Sequence, residues 1–302
     1  MIYKYIDPMV DFGFKKIFKE SGNKNLIIRP LNAVFNLDIV DIIISESEQL
    51  GLTEQERKAS FDMRCTTKDG KTFLIEVQIA DQKYFMERAI FYTARAISSN
   101  AERGDWNYDV GPVFFLGLLN FDIRHLDPER ADPHQYIHQF LLREESTGEL
   151  MSNSLRFAFM EIARFDKAKD ECITFEDRFL YMMKNLPTFA EKPELWDDPY
   201  FEDMVQEAEF ANMSFAEQEA YIQAMKNRWD YQNTIAFARE KGLEEGMEKG
   251  MEKGMERGME QGLQQGKEQM ALETARRMRE MGLGEEIILQ ATGLTEEQVR
   301  AL

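Results

Sequence analysis

With 302 residues, 43% of them apolar and 12% aromatic, the chain can bury one large core or two smaller ones, which excludes a disordered or fibrous protein. A net charge of −18 argues against a protein that coats nucleic acid through a basic surface, because phosphate neutralisation is the main source of such affinity. Cys65 and Cys172 each stand alone without CxxC spacing, so neither a disulfide framework nor a structural zinc site is indicated.

The opening segment, MIYKYIDPMVDFGFKK, lacks a basic start followed by an apolar block, and no stretch reaches the roughly 18 apolar residues of a membrane span. A soluble, cytoplasmic protein with no membrane partner is therefore expected. The charge is uneven: residues 1–170 hold 22 Lys+Arg against 27 Asp+Glu, leaving 15 against 28 for residues 171–302. The acidity sits mainly in the second half, so a nucleic-acid site in the first half remains open where a divalent cation adds local positive charge.

The first forty residues read as helical, with apolar side chains at three and four spacing in DFGFKKIFKE and NKNLIIRPLNAVFNL and Pro30 as the one interruption. From residue 39 the pattern turns to strands: IVDIIISESEQ, KASFDMRCTT, KTFLIEVQIA, GPVFFLGLLNF, YIHQFLLRE and LRFAFMEIA. Between the third and fourth lies KYFMERAIFYTARAISSNAE, an amphipathic helix, and the mixture predicts a layered α/β or α+β domain. His134 and His138 are four apart, but they fall at a strand start without a third ligand.

From about residue 171 the chain reads as helical again. Glycine then recurs every fourth residue at 242, 246, 250, 254, 258, 262 and 266, in the frame G-M-E-K. Such a repeat is either a long helix whose glycines let another helix approach closely, giving a homo-oligomer, or a flexible charged tether. The end, GEEIILQATGLTEEQVRAL, reads as a helical hairpin, with Gly293 as a C-cap and Thr295 and Gln298 as a capping box. These features divide the chain into a core over 1–170, a helical region over 171–240 that packs on or extends it, the repeat over 241–269 and the hairpin over 270–302.

The stretch KTFLIEVQIAD carries the chemistry. Side chains alternate along a strand, so Phe73, Ile75, Val77 and Ile79 share a core face while Leu74, Glu76 and Gln78 share the other. A two-residue loop after the preceding strand would set apolar faces against polar ones. A three-residue loop, Lys68-Asp69-Gly70 with Gly70 left-handed, instead pairs Phe61 with Val77, Met63 with Ile75 and Asp62 with Glu76. Adjacent carboxylates repel unless a cation lies between them, and oxygen ligands suit Mg²⁺. The competing reading is the solvated face of an ordinary hairpin.

Asp62, a hairpin and then IEVQ resembles the PD-(D/E)xK nuclease superfamily, whose motif is an Asp on one strand and Glu/Asp-x-Lys on the next. With DFGFKKIF, the ERAIFYTARAI helix, GPVFFLGLLNF and the G-M-E-K tail, the chain is similar along nearly its whole length to the Rpn branch of recombination-promoting nucleases and transposases. The resemblance implies a restriction-endonuclease-like α/β core, with a central mixed β-sheet flanked by helices and an all-helical C-terminal region. It further implies a metal-dependent DNA endonuclease in which Asp62, Glu76 and the Val77 carbonyl hold Mg²⁺, or Mn²⁺ in its place. Asp11 would be a further acid near the metal, and Lys15, Arg88 and Tyr92 would lie near substrate phosphate. Gln78 stands where the motif has Lys; an amide can orient water but adds no positive charge. The alternative in another class is an interaction protein with a decayed nuclease core and an oligomerising tail.

Overall fold

A computed structural model describes residues 4–45, 62–100, 111–123 and 132–302. The chain divides into two compact units, Met1–Arg228 and Trp229–Leu302. No helix among the described residues is long and apolar enough to cross a membrane.

The first unit is built on a six-stranded mixed sheet of order β1-β2-β3-β4-β6-β5, with β1 Ile43–Ser45, β2 Met63–Thr66, β3 Thr72–Gln78, β4 Val113–Leu119, β5 Ile137–Arg143 and β6 Leu150–Glu161. Strands β3, β4 and β6 run parallel in the centre, and the outer pairings β1–β2, β2–β3 and β5–β6 are antiparallel. This is the restriction-endonuclease-like α/β architecture. Central parallel strands must be covered on both faces, and β4 is correspondingly apolar and buried throughout.

One face carries the larger core. Met63, Cys65, Phe73, Ile75, Phe114 and Met160 pack there against α1 (Asp11–Phe14, continuing as a π-helical turn over Lys15–Glu20), α2 (Asn25–Phe35), α4 (Phe175–Asn185), α5 (Pro199–Glu207) and the start of α6 (Phe215–Glu280). Burial pushes the Cys65 thiol up to about 12, so it behaves as a small apolar side chain. The other face packs Leu74, Val113, Phe115 and Phe159 under α3 (Phe85–Asn100), which contributes Phe85, Ala89 and Ala96.

Two local expectations are revised. Pro30 does not interrupt α2, which runs through it. Proline has no N–H to give the Leu26 carbonyl one turn earlier, and the buried hydroxyl of Tyr200 on α5 donates to that carbonyl at 2.8 Å instead. The run beginning at residue 39 is strand only at Ile43–Ser45 among the described residues. The Asn32 carboxamide bonds both the N–H (2.8 Å) and the carbonyl (3.0 Å) of Ile39, taking the place of a neighbouring strand. Residues 46–49 of that run lie outside the described residues.

In the second unit the glycine repeat is helical, within α6. Each interior glycine costs about 1 kcal/mol relative to alanine, so this stretch is intrinsically a weak helix. The C-terminal end of α6 packs Ala275 with Ile288, Leu294 and Val299 from α7 (Glu285–Thr292) and α8 (Glu296–Arg300). Gly293 adopts the left-handed C-cap (φ 69°), and Thr295 and Gln298 form the capping box.

Candidate active site

The β2–β3 hairpin sets the site. Thr67 N–H donates to the Lys71 carbonyl across a Lys68-Asp69-Gly70 loop, Gly70 has φ +85°, and Met63 lies opposite Ile75. This is the register that matching the faces predicts; Phe61 lies outside the described residues. Asp62 immediately precedes β2, just beyond the end of the ladder, and its Oδ2 accepts the Val77 N–H at 2.6 Å. In an extended strand the N–H and C=O of one residue point to the same side, so the Val77 carbonyl faces the β2 edge where Asp62 sits.

Glu76 lies beside Gly117 of β4 in the parallel register. A Cβ on Gly117 would lie 2.7 Å from the Phe159 ring, so the missing side chain makes room for that ring at the residue beside Glu76. Glu76 Oε1 has Arg88 Nη2 at 3.4 Å, whereas its buried Oε2 has no hydrogen-bond partner. A carboxylate oxygen in that state costs several kcal/mol unless it is protonated or meets a cation.

The acids perturb each other. Burial first, then the neighbouring Asp11 carboxylate, pushes Asp62 up to about 7 against the pull of the Val77 N–H. Burial, then the charge of Asp62, pushes Glu76 up to about 8, opposed chiefly by Arg88. Asp11, at the start of α1, pairs with Lys15 one turn on at 2.7 Å. Three contacts fix that segment: Gly13 packs so tightly that a Cβ there would lie 2.1 Å from the Asp7 carbonyl oxygen, Asp7 N–H donates to the Tyr221 hydroxyl at 2.9 Å, and Arg228 pairs with the Asp7 carboxylate.

Arg88, in the first turns of α3, is the hub of the opposite wall. It donates to Gln78 Oε1 and to Gln82 Oε1, both at 2.6 Å, and lies 5.9 Å from the Tyr92 ring. Gln78 Nε2 donates to the Ala80 carbonyl at 3.2 Å, so both ends of that carboxamide have protein partners. Burial, then the Glu76 charge, raises the Tyr92 hydroxyl. The structure thus brings Asp11, Lys15, Asp62, Glu76, Gln78, Arg88 and Tyr92 to one end of β3. Gln82 joins this group from the turn before α3, where the sequence carries no pattern that singles it out.

Residues 8–238 match the model of the family described as PD-(D/E)XK nuclease family transposase. The chain belongs to that family. No curated protein and no solved structure matches it.

Members of PD-(D/E)xK nuclease families typically use divalent metal ions. Among the described residues no three His, Cys, Asp or Glu side chains are grouped to hold an ion by themselves. The donors at this end of the hairpin are all oxygen: Asp62, the unpartnered Glu76 Oε2 and the β2-facing Val77 carbonyl. That set fits Mg²⁺, which takes one or two carboxylates and completes its octahedron with water and substrate phosphate. His138, by contrast, bonds Glu161 Oε2 at 3.0 Å, a buried carboxylate that also receives Arg164 and the Ile123 N–H. That set is satisfied within the protein.

Proposed function

We propose that the chain is a Mg²⁺-dependent DNA endonuclease that hydrolyses phosphodiester bonds, with Mn²⁺ able to replace Mg²⁺. The observation that carries this reading is the buried Glu76 Oε2, without a partner and close to a second, half-buried carboxylate, Asp62. Two acids displaced this far upward destabilise the fold at neutral pH, and a bound cation removes that cost.

Asp62 and Glu76, with the Val77 carbonyl, would hold the ion. When bound, it lowers the pKa of water and offsets negative charge gathering on the phosphoryl oxygens. The Val77 N–H fixes the rotamer of Asp62 through its 2.6 Å bond. Asp11 and Lys15 form the outer rim, where the ammonium can meet a phosphate oxygen and the carboxylate can accept a proton from water. Arg88 supplies the positive charge that Gln78 lacks: Gln78 holds the guanidinium at 2.6 Å, next to Glu76 and facing the place where charge develops. Gln78 is a positioning residue in this scheme, orienting water only together with Arg88. Tyr92 closes the wall behind Arg88. The substrate is DNA, read through its backbone, and binding by so acidic a chain falls steeply with salt.

The test is relaxation of supercoiled plasmid by purified protein with Mg²⁺ or Mn²⁺, and with EDTA. Wild-type protein is expected to nick only with metal, and Glu76→Ala and Asp62→Asn to lose the activity while remaining folded. Equal nicking by Glu76→Ala would show the assigned site to be wrong, and no nicking by the wild type with either metal would favour a non-catalytic interaction protein.

A further inference from the structure

The repeat in α6 exposes a face that is neither polar nor covered. Met247, Met251, Met255 and Met259 are 65% to 79% exposed, and nothing lies within 4 Å of a Cβ placed on any of the seven repeat glycines. We infer that this face binds the same face of a second copy of the chain, the two helices running parallel with the methionines of each seated on the glycines of the other. The inference is independent of the nuclease reading.

The angular order of the four stripes carries the argument. Successive residues on an α-helix are about 100° apart, so each repeat presents Gly, Met, Glu and Lys in turn around the axis. Centred between Gly and Met, the apolar face has Met on one flank and Gly on the other, with the basic stripe Lys249, Lys253 and Arg257 beyond the glycines and Glu248, Glu252 and Glu256 beyond the methionines.

In a two-fold pair of parallel helices, the left flank of one meets the right flank of the other. Met then faces Gly on both sides of the contact, a large side chain over an empty position. The basic flank of each helix lies on the partner's Met and Glu side. In an antiparallel pair like flanks meet, so Met crowds Met, Gly faces Gly across a gap, and the Lys stripes confront each other. Shape and charge therefore select the same orientation. From Gly246 to Arg257 three acids balance three bases, so the paired segments carry no net charge to repel one another despite the acidity of the chain.

The packing angle follows from the period. Four residues advance about 400°, so the stripes drift by roughly 40° per repeat. Ridges formed by residues four apart on both helices interlock at a crossing angle of about −50°, the hand and magnitude that small-xxx-small contacts adopt. Contact is then closest over two or three repeats. Because every repeat is alike, a slide by four residues costs little, and the pair is specified in orientation more tightly than in register.

Sedimentation velocity of the full chain is expected to show a dimer. Gly250→Leu with Gly254→Leu should abolish it at the same concentration, while circular dichroism shows equal or greater helix content because Leu is the better helix former. That readout separates lost association from lost folding. Orientation is read by electron–electron spin distances in the variants Glu244→Cys and Gln264→Cys, which lie ten residues to either side of Gly254 and are labelled separately, since both native cysteines are buried. A parallel pair gives a short distance at both sites, roughly 30 Å or less. An antiparallel pair centred on the repeat separates each label from its copy by at least about 30 Å of helix, before the length of the labels is added. A monomer, a dimer that survives both leucines, or long distances at both sites would each overturn the inference.

Discussion

Replacing Glu76 by Gln should make the metal-free protein more stable at alkaline pH and leave it unchanged at acid pH. The folded-state values of Asp62 and Glu76, about 7 and about 8, lie above the ordinary carboxylate range. For an acid raised in this way, the folded state binds more protons than the unfolded state between the two values, so stability is fully present below the unfolded pKa of about 4 and is lost as pH rises through 7 to 8. For Glu76, a displacement of that size is worth at most about 5 kcal/mol. The two acids share their mutual repulsion, so removing one charge should recover about 2–4 kcal/mol at pH 9. In a unit of this size that corresponds to a rise in Tm of roughly 5–10 °C. At pH 5 the folded Glu76 is already neutral and nearly isosteric with Gln, so the two proteins should melt together. The assay is thermal unfolding in EDTA from pH 5 to 9, repeated with Mg²⁺, which should raise the wild-type Tm at pH 8 and leave Glu76→Gln where it was. A Glu76→Gln protein less stable than wild type at pH 9, or a difference that does not change with pH, would refute the reasoning.

Tyr200→Phe should cost about 1–3 kcal/mol, because the Leu26 carbonyl is left buried without a donor; adding Pro30→Ala should recover part of the loss by restoring the helical N–H, and a strictly additive double-mutant cycle in chemical denaturation would contradict this. Arg88→Ala should lower metal-dependent nicking by about tenfold or more at pH 7 and move its pH profile upward, since Arg88 is the main group holding the Glu76 pKa down. Arg88→Lys should restore part of both effects, and an unchanged profile in Arg88→Ala would leave Arg88 as a packing residue only.

The site was legible where side-chain alternation and turn chemistry constrain each other. Matching apolar faces across TKDGK favours the three-residue loop over the two-residue one, and that choice places Asp62 beside Glu76. Contacts between distant segments left no such trace. Tyr200 answers for Pro30 from 170 residues away, and Arg228 and Tyr221 hold Asp7, from helices whose own spacing says only that they are amphipathic. The family resemblance points to Arg88, but its bonds to Gln78 and Gln82 depend on how α3 leaves the turn after β3. The strand order, with β6 inserted between β4 and β5, likewise depends on pairings at long range. The repeat in α6 was ambiguous because glycine opposes helix while Glu, Lys and Met favour it.

The central claim is that Asp62 and Glu76 are brought together to hold a divalent cation. Anomalous diffraction from crystals soaked in Mn²⁺ tests it most directly. A peak within about 2.3 Å of both Asp62 and Glu76 Oε2, absent from Glu76→Gln crystals, is the predicted result. Manganese bound elsewhere in the first unit while these two carboxylates share a proton would contradict it.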